Sequence, residues 1–388
     1  MRVGIIGAGP AGLTAAIGAA QSGLTPIVFE RADDFARIGG GIAIQSNGLR
    51  VLDRLGVLQS FASHLSPCRR LMLDLAGRLQ IVSDYGELPI PHNYFAVVLR
   101  YRLQEHLLET AQKVATIRFG HRCTHIEERR GRVLLRFANG TETDCDVLIG
   151  ADGVHSEVRQ CLDMKAVERS AGDAYLRGVS EVRRSEPMVR EIWGGDGRRF
   201  GIAPLADART YFYCSAPRGQ WNETRKQCLP EWIASWTSYG KQVGDILRHV
   251  GDWEAVNYDE PEEIRLAHWY SSSIFLIGDA AHAMTPNYGQ GANAAMVDAI
   301  VLTTLLARSR EDGMSLVDVG RAYEDIRRHF VSRTQTAAWR LGVAAQWTSP
   351  VARRLRDSAV RLLSQLLPLR QRDLLLVAGY NPREKRYL

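Results

Sequence analysis

The sequence lacks the features that define several classes of protein. No uninterrupted run of about 18 apolar residues occurs, which argues against a membrane-spanning helix. The N-terminal apolar run is short and rich in glycine, unlike a signal peptide. No internal repeat, low-complexity segment or zinc pattern is present, and no basic-aromatic repeat supports nucleic-acid binding. With 45% hydrophobic and 24% charged residues, the chain has the composition of a soluble globular protein.

Cysteine is scarce and unpaired in sequence. None of the six cysteines forms a C-x-x-C pair, so we expect neither a metal site nor a disulfide framework, and we predict a reducing, cytoplasmic location. The 388 residues carry a formal charge of +6. This mild, dispersed positive charge suits an anionic small molecule, such as a phosphorylated cofactor or a phenolate or carboxylate substrate.

What is present begins at the N-terminus. An apolar run at residues 3–6 predicts a buried strand, and G-x-G-x-x-G follows at residues 7–12. A small, apolar helix and a second strand that ends on Glu30 come next. In this pattern Gly7 permits a tight turn, Gly9 lets backbone approach a pyrophosphate, and Gly12 allows close helix packing. The acid can accept hydrogen bonds from a ribose, so the pattern predicts a site for an adenine dinucleotide.

Two further acids follow predicted strands. Asp152 follows the apolar run at 146–150, and Asp279 follows the run at 274–277. Both should lie at the ligand-binding edge of a parallel sheet, because ligands bind outside the carboxyl ends of such strands. A second glycine-rich helix start follows at 289–293. Arg100 ends another predicted strand, where it can either reach the ligand or make a surface ion pair.

The remaining patterns predict a second sheet and a helical end. Residues 70–83 read as a hairpin, and residues 173–266 contain four alternating strands followed by two amphipathic helices, at 227–239 and 242–250. The C-terminal residues read as basic amphipathic helices, which suit either a cover over the core or contact with a membrane surface.

Together, the segments around Glu30, Asp152 and Asp279 resemble the single-component FAD-dependent aromatic hydroxylases of the para-hydroxybenzoate hydroxylase type, over residues 1–345. The resemblance implies an α/β fold with a Rossmann-like FAD-binding domain formed by residues 1–69, 96–172 and 267–345. It also implies an inserted antiparallel substrate-binding sheet, residues 70–95 and 173–266, and C-terminal helices at 346–388.

The resemblance also implies roles for individual residues. It assigns cofactor contacts to Gly7, Gly9, Ala11, Gly12, Glu30, Arg31, Arg37, Gly41, Ile42, Gln45, Arg100, Asp152, Asp279, Pro286, Gly289, Gly291, Ala292 and Asn293. Arg199 and Tyr211, on neighbouring predicted strands, are candidates for substrate contact, with ordinary sheet positions as the alternative. His282 is a candidate catalytic base, although a structural histidine beside the loop is the preferred reading.

The activity implied by the resemblance is hydroxylation of an electron-rich aromatic or heteroaromatic molecule. NADH or NADPH would reduce FAD, and O2 would react through a flavin C4a-hydroperoxide. An epoxidase or oxidative-rearrangement enzyme remains an alternative on the same scaffold. A plain NAD-dependent dehydrogenase and a non-catalytic flavin-binding protein are further alternatives. We expect a monomer or homodimer without stable membrane insertion.

Overall fold

The computed structural model describes residues 1–37, 40–75, 78–129, 131–170, 172–365 and 374–388. Gly39 and the turn of the predicted hairpin at 76–77 lie outside the described residues. In chain order, the strands are β1 Arg2–Ile6, β2 Thr25–Phe29, β3 Gly41–Ile44, β4 Ser66–Cys68, β5 Arg70–Leu75, β6 Arg78–Asp84, β7 Phe95–Leu99, β8 Thr116–Arg118, β9 Cys123–Arg129, β10 Arg132–Phe137, β11 Glu142–Cys145, β12 Val147–Gly150, β13 Ala166–Ser170, β14 Ala174–Ser180, β15 Met188–Trp193, β16 Arg199–Pro204, β17 Thr210–Ala216, β18 Val256–Asp259, β19 Glu262–Leu266, β20 Tyr270–Ser271 and β21 Ile274–Leu276.

The helices surround these strands. In chain order they are α1 Pro10–Gln21, α2 Ser46–Arg54, α3 Leu58–Phe61, α4 Arg100–Gln112, α5 Glu157–Cys161, α6 Trp221–Lys226, α7 Leu229–Ala234, α8 Lys241–Arg248, α9 Asp279–His282, α10 Gly291–Asp312, α11 Leu316–Ala345 and α12 Pro350–Gln365.

A six-stranded sheet carries the N-terminal motif, in the order β20-β21-β12-β1-β2-β8. Strands β21, β12, β1 and β2 are parallel neighbours, with Ile5 opposite Ile149 on one side and Val28 on the other. Their carboxyl ends therefore meet at one edge. The glycine-rich loop, Glu30, Asp152 and Asp279 follow these four strands directly, as the sequence patterns predict.

A seven-stranded sheet forms the second layer, in the order β18-β14-β17-β16-β15-β5-β6. All its neighbours are antiparallel except β15 and β5, which run parallel. The four predicted strands of this region and the predicted hairpin are all present. The α/β fold class, with a mixed arrangement of sheets and a helical C-terminal segment, is thus confirmed. The division of the chain into domains at the boundaries given above stays a prediction.

The helix predicted at 227–239 is wrong as a single element. The chain forms α7, which begins with Pro230 in its first turn, and then a short 3-10 turn at Thr237–Tyr239. Gly240 follows with a φ of +100°, which ends this turn and starts α8. The proline-led start and the left-handed glycine divide the amphipathic pattern into shorter elements.

Helix α10 is the central helix of the fold. It packs along α1, where a Cβ at Gly18 would lie 2.9 Å from Ile300 Cδ1. By length and composition, α10 is apolar enough to cross a membrane, and among the described residues it is the helix that meets this test. However, 78% of its most apolar window is buried inside the protein. It is therefore apolar on all sides because protein surrounds it.

Candidate active site

A cavity of about 890 Å³ extends from the carboxyl edge of the six-stranded sheet to the face of the seven-stranded sheet. This volume is at the upper end of the range of about 300–1,000 Å³ typical of small-molecule sites. Most of the predicted site residues line it: Gly7, Gly9, Ala11, Glu30, Arg31, Gly41, Ile42, Gln45, Arg100, Asp152, Asp279, Pro286, Gly289, Gly291, Ala292, Arg199 and Tyr211.

The glycine-rich loop forms one end of the cavity. Gly7 has a φ of +104°, and a Cβ on Gly12 would overlap the carbonyl oxygen of Gly7, so helix α1 can start only because Gly12 lacks a side chain. A Cβ on Gly9 would meet no atom of the described residues within 4 Å. Gly9 therefore leaves open space beside the N-terminus of α1, which is where its unpaired N–H groups favour a phosphate.

Glu30 is held beside this loop by backbone hydrogen bonds. Its Oε2 accepts from Ala8 N at 2.8 Å, and its Oε1 accepts from Ala32 N at 3.0 Å. From α4, Gln104 Nε2 donates to Ala8 O at 2.9 Å. The loop and the acid are thus fixed to each other before any ligand binds, which lowers the entropic cost of binding.

The other two acids hold different positions at the same edge. Asp152 accepts hydrogen bonds from Ser156 Oγ at 2.6 Å and from the backbone N–H groups of Glu157 and Val158, so it caps α5. Asp279 faces the cavity at the start of α9. Burial raises the pKa of Asp279, and the charges of His282 and Arg100 act against that rise.

The second glycine-rich helix start is tied to β3 through Asn293. Asn293 Nδ2 donates to Ala43 O at 2.9 Å and to Gly289 O at 2.7 Å, while its Oδ1 accepts from Gln45 N at 2.9 Å. Gly291 and Ala292, in the first turn of α10, line the cavity. The cavity therefore receives the positive ends of two helices, α1 and α10, which together favour a ligand with separated negative charges.

The opposite end of the cavity contains a buried polar cluster centred on Arg199. Its side chain is 3% exposed, and its Nη1 lies 2.7 Å from Asn287 Oδ1 and 3.4 Å from Glu191 Oε1. Its Nη2 donates to the Tyr175 hydroxyl. Glu191 also accepts from Tyr213 Oη at 2.7 Å. Burial raises the pKa of Glu191, and the hydrogen bond from Tyr213 opposes that rise.

Tyr211, on β17 of the seven-stranded sheet, packs against β3, which forms a three-stranded sheet with β7 and β4. Its ring lies against the backbone of Gly41 in β3, where an added Cβ would come within 2.5 Å of Tyr211 Cγ. Gly40 and Gly41 therefore pass close to the Tyr211 ring, which leaves no room for a side chain at Gly41. Burial raises the pKa of Tyr211 to about 12, so its hydroxyl stays protonated at neutral pH.

Four predicted site residues do not line the cavity: Gly12, Arg37, Asn293 and His282. Gly12 packs against Gly7, and Asn293 forms hydrogen bonds with Ala43, Gln45 and Gly289, all of which line the cavity. Arg37 pairs with Glu105 at 2.9 Å on the surface. His282 is 2% exposed, and its Nε2 lies 2.6 Å from Asp298 Oδ2, beneath the Trp269 ring. This geometry supports the structural reading of His282 over the catalytic one.

Sequence reasoning missed the other members of the polar cluster, which are Tyr175, Glu191, Tyr213 and Asn287. It also missed two further residues that line the cavity, Arg177 and Tyr85, of which Tyr85 donates to Gln45 Oε1. One signal was available. Arg199 starts a buried strand, so it needs a buried acceptor, and Glu191 stands in the preceding strand of an antiparallel pair.

Comparison with known proteins identifies the family. The family model described as "FAD binding domain" matches residues 1–338, most of the chain. This chain belongs to that family. An aurachin C monooxygenase/isomerase from Stigmatella aurantiaca is 26% identical over 94% of both chains. A 3-amino-4-hydroxybenzoate 2-monooxygenase from Streptomyces cremeus is 31% identical, over 84% of this chain and 83% of that protein.

A solved structure shares the whole fold of this FAD-binding-domain protein. Klebsiella pneumoniae HpxO complexed with FAD and uric acid superposes with a TM-score of 0.81 at 24% identity, covering 97% of each chain. The chain is thus an FAD-dependent monooxygenase of the aromatic hydroxylase type, as its motifs predicted. Its residues fit the cofactor, because the open space at Gly9, the fixed Glu30 and the two helix N-termini suit a dinucleotide with a central pyrophosphate.

Proposed function

We propose that this enzyme hydroxylates a small, electron-rich aromatic or heteroaromatic molecule, with O2 as oxidant and NADH or NADPH as reductant. The observation that carries this proposal is the continuity of the cavity. One end has the features of a dinucleotide site, and the other has an aromatic and apolar wall with a buried polar cluster. An aromatic ring bound at the second end would therefore lie next to the end of the cofactor site.

The cofactor end would hold FAD through residues from three strand ends of the six-stranded sheet and from the start of α10. Gly7, Gly9 and Ala11 would face the pyrophosphate and Glu30 a ribose, while Asp279 would accept a hydrogen bond from the sugar chain. Gly289 to Asn293 would direct backbone N–H groups at the negatively charged part of the ring system. When bound, FAD supplies two-electron redox chemistry and the activation of O2.

The substrate end would bind and activate the ring. Arg199 would hold an anionic or electron-rich oxygen, because its guanidinium is buried and faces the cavity. The Glu191–Tyr213 pair would accept a proton from the substrate, since a phenolate is more easily hydroxylated than a phenol. The Tyr211 side chain would pack against the aromatic ring of the substrate. The apolar part of the wall would reduce the access of water to the bound ring, which limits side reactions.

The reductant and the location of the enzyme belong to the same proposal. The sequence contains a single strand-linked G-x-G-x-x-G ending in an acid, so NADH or NADPH would bind transiently rather than in a domain of its own. Six unpaired cysteines support a cytoplasmic location. We retain a monomer or homodimer as the expected assembly.

A substrate screen tests the proposed function. Purified, FAD-loaded enzyme would be mixed with phenols, hydroxybenzoates, purines and quinolones, and the oxidation of NADH and NADPH would be followed with hydrogen peroxide measured in parallel. We expect at least one aromatic to stimulate oxidation without an equal yield of peroxide. If every aromatic leaves the basal rate unchanged, the proposed substrate class is wrong.

Oxidative rearrangement is the second candidate, because the Stigmatella aurantiaca relative is named a monooxygenase/isomerase. Product analysis with 18O-labelled O2 separates the two. Hydroxylation retains the carbon skeleton and adds one labelled oxygen, whereas a rearranged product has altered carbon connectivity.

A further inference from the structure

The cavity is completed by a residue that lies outside the family's own domain. Val377 lines the cavity, although the family model ends at residue 338. It belongs to the segment Leu374–Leu388, which we call the C-terminal segment. Val377 packs in an apolar cluster with Tyr85, Phe95 and Tyr211, which contains no residue of the glycine-rich loop. The C-terminal segment therefore forms part of the wall at the substrate end.

Hydrogen bonds to the backbone of the C-terminal segment hold this wall against the cofactor end. Gln290 Nε2 donates to Val377 O at 2.7 Å, and Asn47 N donates to Ala378 O at 3.2 Å. Asn47 Nδ2 also donates to Gln290 Oε1 at 3.0 Å. Gln290 immediately precedes α10, so the position of Val377 is set by the same loop that would face the flavin.

A buried ion pair anchors the segment further along. Glu384 and Arg327 are both fully buried and paired, and Arg327 Nε lies 2.7 Å from Asp298 Oδ1. Asp298 Oδ2 accepts from Gly278 N at 3.0 Å, next to Asp279. Because a buried carboxylate without its partner is costly, this network holds the C-terminal segment in one position.

We propose that Val377 is a specificity-determining residue, which limits the size of the apolar substituent that an aromatic substrate can carry. This inference rests on the proposed function. The polar cluster around Arg199 would hold the oxygen-bearing edge of the ring. The substituent would then extend along the wall formed by Val377 and its apolar neighbours, where each accommodated methylene adds binding energy.

A ligand series tests the proposal by binding rather than by turnover. Dissociation constants of 4-alkylphenols, from 4-methylphenol to 4-heptylphenol, would be measured from the perturbed flavin spectrum of the full-length holoenzyme. Wild type would be compared with Val377→Ala, Val377→Phe and the control Val360→Ala, which changes a half-buried valine outside the cavity. In Val377→Phe we expect the affinity for 4-heptylphenol to fall about tenfold relative to that for 4-methylphenol, because the larger side chain fills the space of the alkyl chain. In Val377→Ala we expect the relative affinity for 4-heptylphenol to rise about fourfold, which corresponds to the burial of one additional methylene group.

An unchanged dependence on chain length in both Val377 variants would overturn the proposal. A change of the same size in the chain-length dependence of the Val360→Ala control would also overturn the proposal. If no alkylphenol binds wild type, alkylphenols are not ligands of this site, the proposed function is still judged by the wider substrate screen, and a second measurement decides the position of the wall without any substrate.

In that measurement, the Val377→Cys enzyme is treated with N-ethylmaleimide and each cysteine is followed by peptide mass. The exposed Cys228 and the buried Cys68 provide internal standards. A thiol at position 377 that reacts faster than Cys68, and more slowly when FAD is bound, supports a wall position. A thiol as inert as Cys68 with and without FAD would overturn it.

Discussion

The two ends of the cavity are built in different ways. The cofactor end consists mainly of backbone, from loops that follow four adjacent parallel strands, and its geometry depends on where side chains are absent. The substrate end consists of side chains contributed by β14, β15, β16, β17 and the C-terminal segment. The first arrangement depends on backbone geometry that a common cofactor requires, whereas the second depends on the identity of individual side chains.

The sharpest test of this comparison is a methyl group at Gly12. In Gly12→Ala the new Cβ would overlap the Gly7 carbonyl oxygen, so the loop must move and FAD binding should be lost almost completely. Flavin absorbance per mole of purified protein measures the effect. The control is Gly251→Ala, where a Cβ meets no described atom within 4 Å and which should retain wild-type flavin.

The next largest effect is expected at Asp279. Asp279→Ala removes a charged acceptor that faces the cavity, which should weaken FAD binding by roughly 1.5–3 kcal/mol, or about 10- to 150-fold. Titration of apoprotein with FAD gives the dissociation constant. Asp312→Ala, at the exposed end of α10, is the matched control. Equal affinity in the two variants would remove Asp279 from the cofactor site.

At the substrate end, Arg199→Ala should spare the cofactor. We expect wild-type flavin content but a raised KM or an increased yield of peroxide, by roughly tenfold or more, because a charged hydrogen-bond donor is lost. Arg209→Ala, on the adjacent strand connection and paired with Asp207, serves as control. Fully coupled turnover at an unchanged KM in the Arg199 variant would rule out its substrate role.

The smallest effect is a change in pH dependence at Glu191. Burial raises the pKa of Glu191, and a proton acceptor works only when deprotonated, so kcat/KM should rise with pH through a value above the ordinary carboxyl range. Glu191→Gln should lose this acidic limb while keeping FAD. The exposed Glu181→Gln variant should keep the limb. If the rise of kcat/KM with pH persists in Glu191→Gln, a group other than Glu191 is responsible for it.

The comparison also explains what could be predicted from the sequence. Glycines and acids at strand ends are local patterns, so the loop at Gly7, the acid at Glu30 and the ends at Asp152 and Asp279 were placed correctly in the fold. Their contacts with FAD stay predictions. The pairing of β15 with β5, which brings residues 188–193 next to residues 70–75, has no local pattern because it joins segments far apart in the chain.

Side-chain roles at the substrate end were harder to predict for the same reason. Arg199 was singled out, but its partners Tyr175 and Asn287 come from segments 24 and 88 residues away. His282 shows how a residue beside a glycine-rich loop can be read in two ways from the sequence. Its place beside the loop suggested either chemistry or structure, and in the fold it is buried against Asp298. Burial acts to raise the pKa of Asp298, but the neighbouring His282 and Arg327 hold that pKa below its ordinary value.

The contact between Gly41 and Tyr211 has a consequence for how such enzymes change over time. Positions 41 and 211 share one volume, since a methyl group at the first would occupy space now filled by the ring of the second. A side chain at position 41 therefore requires a residue smaller than tyrosine at position 211. The two sites should therefore vary as a pair, and a search among diverged homologues for alanine at one and an aliphatic side chain at the other would reveal that linked history.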